Sequence, residues 1–218
     1  MNLLQIKSIL YAFELTSCLV GFFYWGKIKN TFWKYFPIYL LAIFVTELSG
    51  LYFLLFAKKL FANIDVYRYW GLPIQFFFFF WLYYQYFKKS MLYYLPFLCT
   101  VLYVVSWIVE EIWLREDKLW FGQLSYSVGC IMLLVLLLIF STRLIKSQEL
   151  IDYKKNMMLW TSLGILLFYI GTAPFWVVRS TLLEKDLDLF YTFNSIQGIL
   201  CCSMYSLFTI AFICGQPK

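Results

Sequence analysis

The chain has 218 residues and is 63% hydrophobic, 23% aromatic and only 14% charged. Soluble domains run about 45–50% apolar and about 25% charged. A soluble protein of this length could not hide so much apolar surface, and no polar segment is long enough to form a catalytic, kinase or DNA-binding domain. The net charge of +6 resides in short loops, so it reads as a topology signal and not as a nucleic-acid surface. There is no His, which removes the commonest metal ligand and general base. The six Cys, at 18, 99, 130, 201, 202 and 214, lie in apolar runs with no C-x-x-C pair and read as small apolar fillers. No metal or cofactor is expected.

A transmembrane helix needs about 20 mostly apolar residues, and the chain offers seven candidate segments. The first spans 9–25. A cleavable signal is a poor reading of it, because Glu14 interrupts its core and the apolar run continues past Cys18. After the basic loop GKIKNTFWK comes 36–56, then a mixed loop, then 70–87 with Pro73 in its first turn. The tight turn Lys88-Lys89-Ser90 leads to 91–113 and to the acidic loop REDK. The fifth span is 121–145, followed by the longest polar stretch, then 157–178 and 189–214. The expected fold is thus all-α, a single polytopic membrane domain of seven spans.

Seven spans place the termini on opposite sides. The loops on the C-terminal side carry more of the Lys and Arg, although Lys58 and Lys59 run against the bias. This predicts the N-terminus outside and the C-terminus in the cytoplasm.

Polar residues then concentrate in the outer halves of the spans. Glu47 lies near the middle of the second span, where a charge costs about 2.5–3.5 kcal/mol on insertion scales. Glu14, Gln75, Asn194, Gln197 and Arg179 complete the candidate set for a ligand or proton site. Together they suggest an outward-opening polar pocket with Glu47 at its floor. The bland alternative is hydrogen bonding between packed helices. No Lys or Arg is expected deep in a span. Glu47 would therefore be protonated, or ionised beside a cationic ligand, an ion or water. Glu110 and Glu111 read as solvated helix-end charges. Pro174, after Gly171, could break the sixth span, as broken helices do at transporter sites.

The motifs ELSGLY in the second span, LPIQFF in the third and LLFYIGTAPFW in the sixth give the chain a resemblance to a family of short, uncharacterised bacterial seven-span proteins. That resemblance implies the topology and a bacterial cytoplasmic membrane, and carries no activity. From the residues, the leading expectation is a small-solute or proton/cation-coupled carrier or solute-binding protein. The alternative is a sensor or accessory subunit that meets a protein partner through the cytoplasmic segment STRLIKSQELIDYKKN. A lipid-acting enzyme is the third reading, and it lacks any recognisable nucleophile. The other expected partners are the bilayer and a small-molecule or cation ligand, with no role for nucleic acid.

Overall fold

Segments without water must satisfy every backbone N–H and C=O internally, which favours helices. The computed structural model describes residues 3–57, 60–114, 123–146 and 154–217, and these are almost wholly helical. In chain order they form α1 (Leu3–Phe23), the short α2 (Trp25–Ile28), α3 (Tyr35–Leu55), α4 (Leu60–Val66), α5 (Leu72–Phe87), α6 (Tyr94–Val109), α7 (Gln123–Lys146), α8 (Met157–Lys185) and α9 (Leu187–Cys214). A π-turn, Tyr67–Gly71, joins α4 to α5, and a second, Glu110–Leu114, extends α6.

Five stretches are long and apolar enough to cross a membrane: Phe32–Leu55, Tyr94–Trp113, Leu124–Lys146, Met157–Arg179 and Leu187–Cys214. The other two expected spans are also helical. One is α1, of 21 residues. The other is the path 60–87, which begins well before the expected start at residue 70. The expected loop after residue 178 is largely helical too, because α8 runs on to Lys185. Pro174 does not break α8. Lys58, Lys59, the REDK loop and most of the polar stretch 146–155 lie outside the described residues.

Helix ends follow ordinary capping chemistry. The Asn156 side chain accepts from the Leu159 N–H at 3.2 Å and starts α8. Asp186 accepts from the Leu189 N–H at 2.9 Å and starts α9 one residue after α8 ends. Pro73 explains the first π-turn. A proline removes one intrahelical hydrogen bond and crowds the carbonyl four residues back, here that of Tyr69, inside the widened turn.

The helices are apolar on both faces, so burial is decided by shape and polarity. On α3 the exposed stripe is Ile38, Leu41, Val45, Leu48, Tyr52 and Leu55, every one apolar or aromatic. On α6 the buried stripe is Pro96, Cys99, Tyr103 and Ser106, and it ends at Glu110. On α6 small and polar residues face inward and aliphatic ones outward, as helix packing in lipid favours.

The chain divides into two compact units, with the divisions falling inside α3 and α7. The first unit comprises 1–41 and 137–218. Here α9 packs against both α8 and α1. Phe36 meets Phe208 edge-on and Phe212 at a tilt, with centroids 5.0 and 5.2 Å apart. Gly164 lies under the Phe208 ring, where a Cβ would come within 3.0 Å. The second unit is 42–136. Its core is the fully buried Phe76, 4.9 Å from Tyr103 and 5.7 Å from Tyr126 by centroid. Gly129 seats that ring, since a Cβ there would come to 2.5 Å from it.

Candidate functional site

In the second unit, polar chemistry collects where the end of α3, the π-turn before α5, the π-turn after α6 and the start of α7 meet. Five of the charged or phenolic groups, Tyr67, Arg68, Tyr69, Glu110 and Glu111, come from the two π-turns. Single π-turns recur at functional sites.

Glu47 is half-buried on α3 and accepts a 2.6 Å hydrogen bond from the Tyr67 hydroxyl. Two features aim that tyrosine. Gly50, one turn beyond Glu47, leaves room for the ring: a Cβ there would fall 2.8 Å from it. The Asn63 amide donates to the Gly50 carbonyl at 2.6 Å and ties α4 to α3. Gly71 lies beside the Thr46 methyl, where a Cβ would meet it at 3.4 Å. Gln75 lies on α5, one turn beyond Gly71.

The next residue, Arg68, is the charge that the sequence reading placed in a loop. Its side chain is 3% exposed and forms a 2.5 Å ion pair with Glu111, which is 27% exposed. The Tyr69 hydroxyl donates to the other Glu111 oxygen at 2.7 Å. The Tyr69 ring meets Trp107 edge-on at 6.2 Å. Neighbouring Glu110 is buried and accepts from the backbone N–H groups of Leu124 at 3.1 Å and Ser125 at 2.9 Å. Its carboxylate therefore caps the positive end of α7. The expectation that Glu110 and Glu111 are solvated helix-end charges is corrected here: one is a buried cap and the other neutralises a buried arginine. A buried ion pair is weak evidence for stability, because desolvation offsets its attraction. That makes the cluster more notable as a site than as a strut.

The other candidates lie in the first unit. Glu14 is fully buried on α1 and accepts from the Tyr205 hydroxyl of α9 at 3.0 Å. Asn194 and Gln197 are half-buried on α9. Asn194 is eleven residues before Tyr205, ~16 Å along the helix, so it does not join Glu14. Arg179 stacks over Trp176 at 4.6 Å, with Phe175 and Phe190 at 5.8 and 5.9 Å. These are cation–π contacts that let a guanidinium rest on an apolar wall. Of the six residues singled out from sequence, Glu47 and Gln75 thus belong to the second unit and the other four to the first. In neither unit do they form a single cluster.

Two further features serve the scaffold. Lys27 donates to the carbonyls of Phe212 and Ile213, both at 3.1 Å, and so holds the last turn of α9. Burial draws its ammonium below the ordinary lysine range. On α5 and α6 an open groove of about 390 Å³ is lined by Phe77, Phe80, Trp81, Tyr84, Phe97 and Thr100, almost wholly apolar. Among the described residues no group of three Cys, Asp or Glu is placed to hold a metal ion. Comparison of the chain with protein-family models, curated proteins and solved structures finds no match.

Proposed function

We propose that the protein is a seven-span carrier or solute-binding protein of the bacterial cytoplasmic membrane, N-terminus outside, in which Glu47 is the proton or cation site. Five long apolar helices support membrane insertion. In this reading α1 and the path 60–87 supply the remaining two spans. The latter's 28 residues reach ~42 Å at 1.5 Å per residue, beyond a hydrocarbon core of about 30 Å.

The observation that carries the reading is the Glu47–Tyr67 hydrogen bond within an apolar helix pair. A carboxyl that accepts from a neutral hydroxyl can exchange a proton, or accept a cation, while keeping that hydrogen bond. The Arg68–Glu111 pair on the adjoining turn supplies a fixed charge dipole beside it. The resemblance carried by ELSGLY fits the same picture, since that motif holds both Glu47 and Gly50.

The test is uptake into vesicles containing the purified protein, with and without a pH gradient, using labelled alanine, propionate and ethylamine. At least one probe is taken up in a gradient-dependent manner by the native protein. Glu47→Gln loses that dependence while inserting at the native level. A Glu47→Gln protein that responds to the gradient like the native one sinks the reading, as does a native protein that moves and binds none of the probes.

A further inference from the structure

We propose that the groove between α5 and α6 seats one anionic phospholipid, with an acyl chain in the groove and the phosphate held by Lys88 and Lys89. The inference uses membrane insertion alone and is independent of the role of Glu47.

Both walls belong to the second unit, where α5 packs on α6. The α5 wall is Phe77, Phe80, Trp81 and Tyr84, whose spacing of three, four and seven residues marks one helix face. The next residue of that face is Lys88. Its backbone angles are still helical (φ −51°, ψ −32°), so it stands one turn beyond Tyr84. The α6 wall includes Phe97 and Thr100. Tyr93, also helical in its angles, precedes Phe97 by one turn. The stripe on each wall thus runs to the same end, a short turn closed by the Ser90 N–H on the Phe87 carbonyl at 2.8 Å.

Volume, length and charge select the occupant. The groove holds about 390 Å³, within the range of about 300–1,000 Å³ found for small-molecule sites. The Thr100 hydroxyl donates to the Pro96 carbonyl at 2.9 Å, so its own helix already uses it, and the lining suits a hydrocarbon chain. From Phe77 to Lys88 is eleven residues, ~16 Å along the axis. One leaflet is about 15 Å deep, half of a hydrocarbon core of about 30 Å. A chain end beside Phe77 therefore brings its phosphate level with Lys88. Lys88 and Lys89 are exposed and are the only charged residues from Leu72 to Val109. No acid of α5, α6 or their turn offsets them. Exposed Tyr93 and Tyr94 flank them, as tyrosines do at the membrane–water interface. A zwitterionic headgroup brings its own cation against the two ammonium groups, whereas a net anionic headgroup does not. With the orientation proposed above, this is the cytoplasmic leaflet, whose anionic lipids attract such lysines.

The experiment titrates the purified full-length protein in mild detergent with dioleoyl-phosphatidylglycerol, dioleoyl-phosphatidylcholine or glycerophosphate, and counts bound molecules by native mass spectrometry. One phosphatidylglycerol binds at least about tenfold more tightly than phosphatidylcholine, and glycerophosphate, which lacks chains, does not displace it. Lys88→Gln/Lys89→Gln weakens phosphatidylglycerol binding about tenfold and abolishes the preference. Phe97→Ala, at a wall position that is 67% exposed, weakens both lipids alike. Lys154→Gln/Lys155→Gln removes the same charge from another exposed lysine pair and keeps the native preference. Size exclusion and circular dichroism check that each variant is folded. Equal binding of the two lipids by the native protein overturns the proposal. So does a native preference in Lys88→Gln/Lys89→Gln, or an equal loss in Lys154→Gln/Lys155→Gln. A dimer that Phe97→Ala dissociates gives the groove to a second copy of the chain and overturns it too.

Discussion

Removing the charges of Arg68 and Glu111 singly and together should give an asymmetric thermodynamic cycle. Deleting one partner of a buried pair costs about 3–5 kcal/mol, because the other charge is left uncompensated. Glu111→Leu should reach that range, since Arg68 is 3% exposed and has little access to water. Arg68→Met should cost less, about 1–3 kcal/mol: Glu111 is 27% exposed and keeps the Tyr69 hydroxyl at 2.7 Å. The double variant should lie close to the native protein, because replacing a buried pair by apolar groups of similar volume is often neutral or stabilising. The coupling energy between the sites is then several kcal/mol, well above the ~0.5 kcal/mol scatter of independent sites. Reversible unfolding in mixed detergent micelles, followed by far-ultraviolet circular dichroism, measures all four corners. Additive single effects, or an Arg68→Met protein less stable than Glu111→Leu, would refute the account of which partner is buried and which faces water.

Three other predictions concern separate elements. Gly50→Ala places a methyl 2.8 Å from the Tyr67 ring; the ring must move, costing about 1–3 kcal/mol, and the pH response assigned to Glu47 should shift while helicity is kept, whereas an unchanged response would show that Tyr67 does not act on Glu47. Tyr205→Phe removes the 3.0 Å donor to buried Glu14 and should cost about 1–3 kcal/mol in the same unfolding assay, a neutral result arguing against that contact. Exposed Cys214 ends α9, so a membrane-impermeant maleimide should label it only when the cytoplasmic face is open; labelling from outside intact cells would reverse the orientation.

Composition and hydropathy located the helices because lipid leaves few alternatives for apolar backbone. Every expected span coincides with a helix, and five have the length and apolarity of a membrane crossing. Glu47 was legible as a lone carboxylate in an apolar run. Its partner was not, because Tyr67 lies in a segment whose Gly71 and Pro73 look like helix-start punctuation. The chain instead keeps its helix through Pro73 by widening one turn. That same widening moves Arg68 from an expected loop into a helix interior. Glu110 shows a signal that could have been read: it continues the stripe Pro96, Cys99, Tyr103 and Ser106 at helical spacing, the inward face of α6. Arg179 illustrates the converse. Its position at the end of the sixth span suggested a pocket charge, whereas the aromatic neighbours Phe175, Trp176 and Phe190 give it a resting place.

Glu47 is proposed to take up and release a proton or cation within the membrane domain. Infrared difference spectroscopy across a pH titration of the purified protein reads carboxyl protonation directly. A protonated-carboxyl band should titrate in the native protein, change frequency in Tyr67→Phe as the 2.6 Å hydrogen bond is lost, and vanish in Glu47→Gln. A Glu47→Gln spectrum that titrates like the native one would contradict the claim.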